Sequence, residues 1–162
     1  MKESKKIYVI GLGNDLAGDD GVGTAVVRKL MAEKRLPGGV EIIEAGIPGL
    51  SLVEMMLGAD KVVLVDSFLG GTAPGTVRRF AEKELPPVGY NAGQSHGIGL
   101  REALSFARGV MPGRFPAEVV VVGVEIERTR RWAAGLSSAV QAAVDRAADM
   151  VEAEVLSCMS CR

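Results

Sequence analysis

Apolar residues along this chain fall into two kinds of run that alternate. Four short stretches, 7–10, 40–43, 61–65 and 119–124, are dominated by β-branched and aliphatic residues and read as buried strands. The last reads VVVVGV, the pattern of a strand covered on both faces in a parallel sheet. A fifth stretch, 76–80, follows the turn-rich GGTAPG and is more polar, which suits an antiparallel strand at a sheet edge. Helical spacing fills the gaps. Val22, Ala25, Val26 and Leu30 share one face of a helix running to about Lys34, and Leu50, Val53 and Leu57 mark a shorter one. Leu100, Ala103, Leu104, Ala107 and Val110 form a third stripe. Leu136, Val140, Ala143, Val144, Ala147 and Val151 form a fourth, starting near Ser137. Strands alternating with helices predict an α/β fold: a three-layer sandwich, its sheet mostly parallel with helices on both faces. No internal repeat, low-complexity segment or linker interrupts the pattern, so 1–162 reads as one domain. A domain of that length buries roughly two-thirds of its unfolded surface. Residues 85–94, with two prolines and two glycines, read as a mobile loop near a site.

Composition narrows the classes of function. Only 4% of residues are aromatic, so the core is built from Val, Leu, Ile and Ala. Nineteen basic residues balance twenty acidic ones, and apart from short groups such as Arg128, Arg130 and Arg131 they are dispersed. That is no nucleic-acid footprint. No run reaches the ~20 apolar residues of a membrane span. The charged start, MKESKK, is followed by a short strand broken at Gly11, where a signal peptide would carry a longer apolar region. The expectation is a cytoplasmic protein with a small-molecule or protein partner. Cys158 and Cys161 form a C-x-x-C in CMSCR, two thiolates where a structural zinc site takes four ligands. They read either as an incidental or weakly metal-binding tail or as a functional pair.

The densest chemistry lies in 11–23, GLGNDLAGDDGVG, between the first strand and the first helix. Leu16 stands where a dinucleotide-binding fingerprint needs its third glycine. Gly13 and Gly18 have P-loop spacing, but Asp19 and Asp20 follow in place of Lys and Ser, and two anions repel phosphate. Nucleotide binding is therefore not expected. In an open α/β sheet, ligands bind beyond the carboxyl ends of the strands. Asp20 follows the first strand, Asp66 ends the third in VVLVDS, and His96, the single histidine, precedes the third main helix. All three can reach one rim. Two carboxylates and an imidazole suit zinc, nickel or another divalent ion with positions left open. Each residue also has a structural reading: Asp20 as a helix cap, Asp66 as a turn former, His96 as a hydrogen-bonded surface residue. Periodicity leaves both readings standing.

In order and spacing, GLGNDLAGDDGVG, VVLVDS and SHGIGL resemble the nickel-iron hydrogenase maturation endopeptidases. The first block matches that family's G-x-G-N-x-[LM]-x-x-D-[DE]-G-x-G signature throughout. The resemblance implies a mostly parallel, twisted five-stranded sheet between helices. It implies removal of a C-terminal extension from the precursor of a hydrogenase large subunit after nickel insertion. It also implies that Asp20, Asp66 and His96 meet the nickel, which the precursor supplies through its cysteine thiolates; zinc or cadmium suit the same donors. Asn14 and Asp19 match signature positions without being ligands. EAGIPG, 44–49, occupies the place of a [DE]-[GA]-G-T segment linked to substrate choice, with Ile47 replacing the threonine. It also reads as a plain strand-to-helix connection. Glu44 is a candidate supporting group, and no general base stands out. No H-E-x-x-H or Cys–His arrangement supports a different protease chemistry. The competing reading is a nickel-binding chaperone of the immature large subunit that performs no cleavage.

Overall fold

The computed structural model describes residues 5–85, 99–128 and 132–160. The aliphatic runs become one five-stranded sheet: β1 (Ile7–Leu12), β2 (Val40–Gly46), β3 (Lys61–Phe68), β4 (Val77–Ala81) and β5 (Glu118–Glu125). Their order is β2-β1-β3-β5-β4. Three neighbouring pairs are parallel, and β4 closes one edge antiparallel to β5. Parallel neighbours need crossovers, and helices supply them. These are α1 (Val22–Ala32), α2 (Ser51–Met56) and α3 (Leu100–Val110), with α4 (Ser138–Ser160) following the last strand.

Because successive strand side chains point to opposite faces, each central strand feeds two cores. Val63 and Val65 face α1 and α4, beside Val26, Leu30, Val144 and Val151. Val62 and Leu64 face α2 and α3, beside Leu52, Met56, Leu100 and Leu104. The three-layer, mostly parallel α/β architecture is the one expected, including the antiparallel edge strand.

Several features differ from the sequence reading. β1 and β2 run past the expected ends, to Leu12 and Gly46. β2 was expected to be buried but is the other edge of the sheet, pairing with β1 alone, and its residues are half-exposed or exposed. β3 does not end at Asp66; it runs on through Ser67 to Phe68, with Asp66 opposite Gly123 of β5. β5 likewise continues to Glu125, whose buried carboxylate accepts the N–H groups of Gly70 and Gly71 and the hydroxyl of Thr72. Polar residues stay in buried strands when their hydrogen bonds are met inside the fold. α4 extends past Val151 to Ser160, carrying Val155 and Cys158 into the core, so Cys158 belongs to the packed helix and not to a tail. Cys161 lies outside the described residues. So does most of the loop expected at 85–94, except Leu85, which is buried.

Candidate active site

Gly11 is still in β1; from Gly13 the chain leaves the sheet and turns into a 3-10 turn, Gly18–Gly21, that opens α1. Two glycines make that path sterically open. Gly13 has φ +137, and a Cβ there would lie 1.9 Å from the carbonyl oxygen of Asp20. A Cβ on Gly23 would meet the carbonyls of Leu12 and Val65 at 2.2 and 2.3 Å. Only glycine lets α1 begin directly against the carboxyl ends of β1 and β3. Asp20 is thereby carried inward and is 3% exposed, while its neighbour Asp19 turns away and accepts the backbone N–H of Ser137 at 2.6 Å, tying the turn to the approach of α4.

The Asp20 carboxylate is held at both oxygens. Oδ2 accepts the backbone N–H of Asn14 at 3.0 Å, and Oδ1 accepts the Ser67 hydroxyl at 3.1 Å. The Asn14 side chain stabilises the same loop, accepting the N–H of Leu16 at 2.9 Å. Asp66 lies next to Ser67 on β3 and accepts the Ser67 backbone N–H at 2.8 Å. One residue thus donates to both carboxylates. Burial pushes the Asp66 carboxyl up to about 7, and the nearby charge of Asp20 adds to the rise, while the Ser67 N–H opposes it. Burial also raises Asp20, against the lowering effect of Asn14 and Ser67. Among the described residues, no cation is a cause of either shift. Two buried carboxylates side by side, with no basic partner among the described residues, present a place that a divalent cation would relieve.

Asp66 and Ser67 line a small pocket with Phe68, Phe80, Leu85 and Leu100. Leu85 and Leu100 flank 86–98, the stretch that contains His96 and is outside the described residues. Asp20 and Asp66 are therefore brought together as expected. Among the described residues no cluster of three or more His, Cys, Asp or Glu side chains has the geometry of a metal site. Glu44 does not support the carboxylates: Arg28 bonds it and also pairs with Asp15 at 2.8 Å, and that guanidinium holds the Glu44 carboxyl below its ordinary range. Ser67 was the residue the sequence reading passed over. Its one signal was position: a small hydroxyl directly after an acid, inside a run otherwise apolar.

A sequence model described as hydrogenase maturation protease matches residues 24–154. The chain belongs to the hydrogenase maturation protease family. It is 32% identical over 147 residues to the hydrogenase 2 maturation protease of Escherichia coli K12, covering 90% of this chain and 88% of that protein. It is 30% identical to the hydrogenase expression/formation protein HoxM of Azotobacter vinelandii, covering 87% of this chain and 68% of that one. Among solved structures, the hydrogenase maturating endopeptidase HybD from E. coli superposes with a TM-score of 0.75 at 30% identity, over 94% of this chain and 93% of that chain. The nickel-iron hydrogenase maturation protease HybD from Thermococcus kodakarensis gives 0.71 at 25% identity, over 93% and 99%. The maturation-protease fold is thus shared along nearly the whole chain. No helix among the described residues is long and apolar enough to cross a membrane.

Proposed function

We propose that this maturation protease removes the C-terminal extension of a nickel-iron hydrogenase large-subunit precursor after nickel insertion, meeting that nickel through Asp20, Asp66 and His96. The observation that carries the reading is the buried pair Asp20 and Asp66, joined by Ser67 at the carboxyl ends of the sheet and without a cation among its described neighbours. A pair so arranged is costly in the free protein and becomes favourable when a divalent cation arrives. His96 enters through the family resemblance, on a stretch whose flanking residues Leu85 and Leu100 line the same pocket as Asp66.

Nickel in this scheme is part of the substrate, held by the precursor's thiolates. Oxygen and nitrogen donors also accept zinc or cadmium, so the precursor, and not the enzyme's donor set, fixes which metal is presented. Such a metal acts as a Lewis acid toward a carbonyl or a bound water, or as a template that places the scissile peptide. Within this chain, Asp20 supplies a carboxylate fixed by Asn14 and Ser67, and Asp66 supplies one from the lining of the pocket. An empty precursor would bring no charge to the pair, which makes cleavage conditional on metal loading.

The test is to incubate the protein with nickel-loaded and nickel-free precursor and weigh the products. Loss of the extension from the loaded form alone is expected. Asp20→Ala, Asp66→Ala and His96→Ala should each slow it by roughly a hundredfold or more, about 2.7 kcal/mol. Full activity in all three variants would remove the site assignment. Binding of the precursor with no loss of mass would favour the chaperone reading instead.

A further inference from the structure

Asp20 and Asp66 approach each other from different layers of the fold. Asp20 sits on the turn leading into α1, and that helix packs on one face of the sheet. Asp66 lies in register with Val62 and Leu64, whose side chains point to the opposite face, toward α2 and α3. Strand geometry alone would keep two such side chains apart, with no shared partner to set their relative position. Ser67 is the exception. Being the next residue on β3, it points toward the α1 side and reaches Asp20 with its hydroxyl, while its backbone N–H engages Asp66.

On the reading that these two carboxylates meet the precursor's metal, we propose that Ser67 is a positioning residue of the maturation reaction, its hydroxyl fixing the Asp20 carboxylate in the orientation that captures the metal. Among the described residues, Asp20 has one backbone donor, Asn14, which lies on its own loop and moves with it. Among the described residues, Ser67 supplies the side-chain donor to Asp20, and it stands on the most buried strand of the sheet, itself 2% exposed. The Ser67 bond therefore references a loop carboxylate to a rigid strand, and that strand also carries Asp66. A first-contact ligand is only as well placed as the neighbour that orients it. Removing the hydroxyl leaves Asp20 on its loop with freedom to rotate away from Asp66, and capture of the metal weakens before any chemical step is affected.

The experiment uses the full chain and three substitutions, Ser67→Ala, Ser67→Val and Ser67→Thr. Ala and Val remove the donor without adding a metal ligand, and Thr retains it in the same β-branched shape as Val, which a strand accommodates. Two readouts are taken: calorimetric binding of Cd2+ to the metal-free protein, and kcat and KM for nickel-loaded precursor. For Ala and Val, the expected result is a Kd for Cd2+ and a KM about tenfold higher, with kcat within about twofold of the parent. A tenfold change is about 1.4 kcal/mol, the scale of one hydrogen bond to a charged group. Thr should restore both. A merely structural serine would lower the thermal midpoint and leave Kd and KM unchanged, and that result overturns the proposal, as does a Thr variant no better than Val. If Ser67→Ala does not fold, Ser67→Val against Ser67→Thr carries the same comparison. Asp20→Ala and Asp66→Ala separate this inference from the reading beneath it. If both still cleave, that reading fails; if both are inactive and Ser67→Ala behaves as the parent, only the role of Ser67 fails.

Discussion

The two ends of the same sheet treat buried charge in opposite ways. At the amino end, Lys61 opens β3 with its ammonium buried, 3.0 Å from the Glu154 carboxylate on α4 and 3.1 Å from Glu118 opposite it on β5. Arg79 of the edge strand also pairs with Glu154. Burial alone would lower the Lys61 pKa, but the bonds to Glu154 and Glu118 outweigh it and the net shift is upward. At the carboxyl end, Asp20 and Asp66 are buried to a similar degree, and burial with the added charge of Asp20 pushes Asp66 up to about 7. Charge at the amino end is satisfied within the fold and serves stability. Charge at the carboxyl end meets no cation among the described residues, and it is there that the proposed site lies. That contrast locates the site without reference to any relative.

Breaking the satisfied end should cost stability and nothing else. Lys61→Met leaves the half-buried Glu154 paired with Arg79 and takes away its bond from the buried ammonium, and losing a hydrogen bond to a charged group of this kind costs about 2 kcal/mol. Denaturant unfolding should report a loss near that size, while precursor cleavage, measured well below the midpoint, stays at the parental rate. A Lys61→Met protein that folds normally but no longer cleaves would erase the division between the two ends. The smallest effect is expected at the surface. Arg28→Ala removes the solvent-exposed pairs with Asp15 and Glu44, and in about 0.15 M salt its thermal midpoint should match the parent. A clear drop there would show that the loop carrying Asp20 is held by surface charge as well as by its glycines.

Much of this architecture could be read from period alone, because the strand and helix patterns alternate cleanly and each run carries its own face. The antiparallel edge strand was legible from its polar residues, and Asp20 from the glycines around it. What escaped was polar structure inside apolar elements. Asp66 read as a strand end and Glu125 was left outside β5, because a charged residue ordinarily marks the exit from a buried strand. Glu125 is made compatible with burial by partners across the fold, Gly70, Gly71 and Thr72, and Asp66 stays in the strand because β3 pairs with β5 beyond it; neither pairing is visible along the chain. The exposed edge at β2 was missed for a related reason: its aliphatic residues look like those of a central strand, and only the strand order shows that one side is unpaired. The part of the site that rests on His96 comes from the sequence resemblance.

The central claim is that Asp66 is kept buried and poorly compensated for the sake of what it meets. Its carboxyl has an ordinary value of 3.8 and is raised to about 7 in the fold. The folded state therefore holds a proton that the unfolded state has released over that interval. The group's contribution to stability is fully present below about 3.8 and is lost as pH rises to about 7, remaining lost above it. Asparagine at this position keeps an acceptor for the Ser67 N–H and removes the charge. The deciding measurement is the unfolding free energy of metal-free Asp66→Asn against the parent from about pH 4 to pH 8. The variant should be more stable at about pH 8, by on the order of a few kcal/mol, with the gap closing toward pH 4. A variant less stable than the parent at pH 8, or a gap that ignores pH, would contradict the account and return Asp66 to the status of an ordinary structural acid.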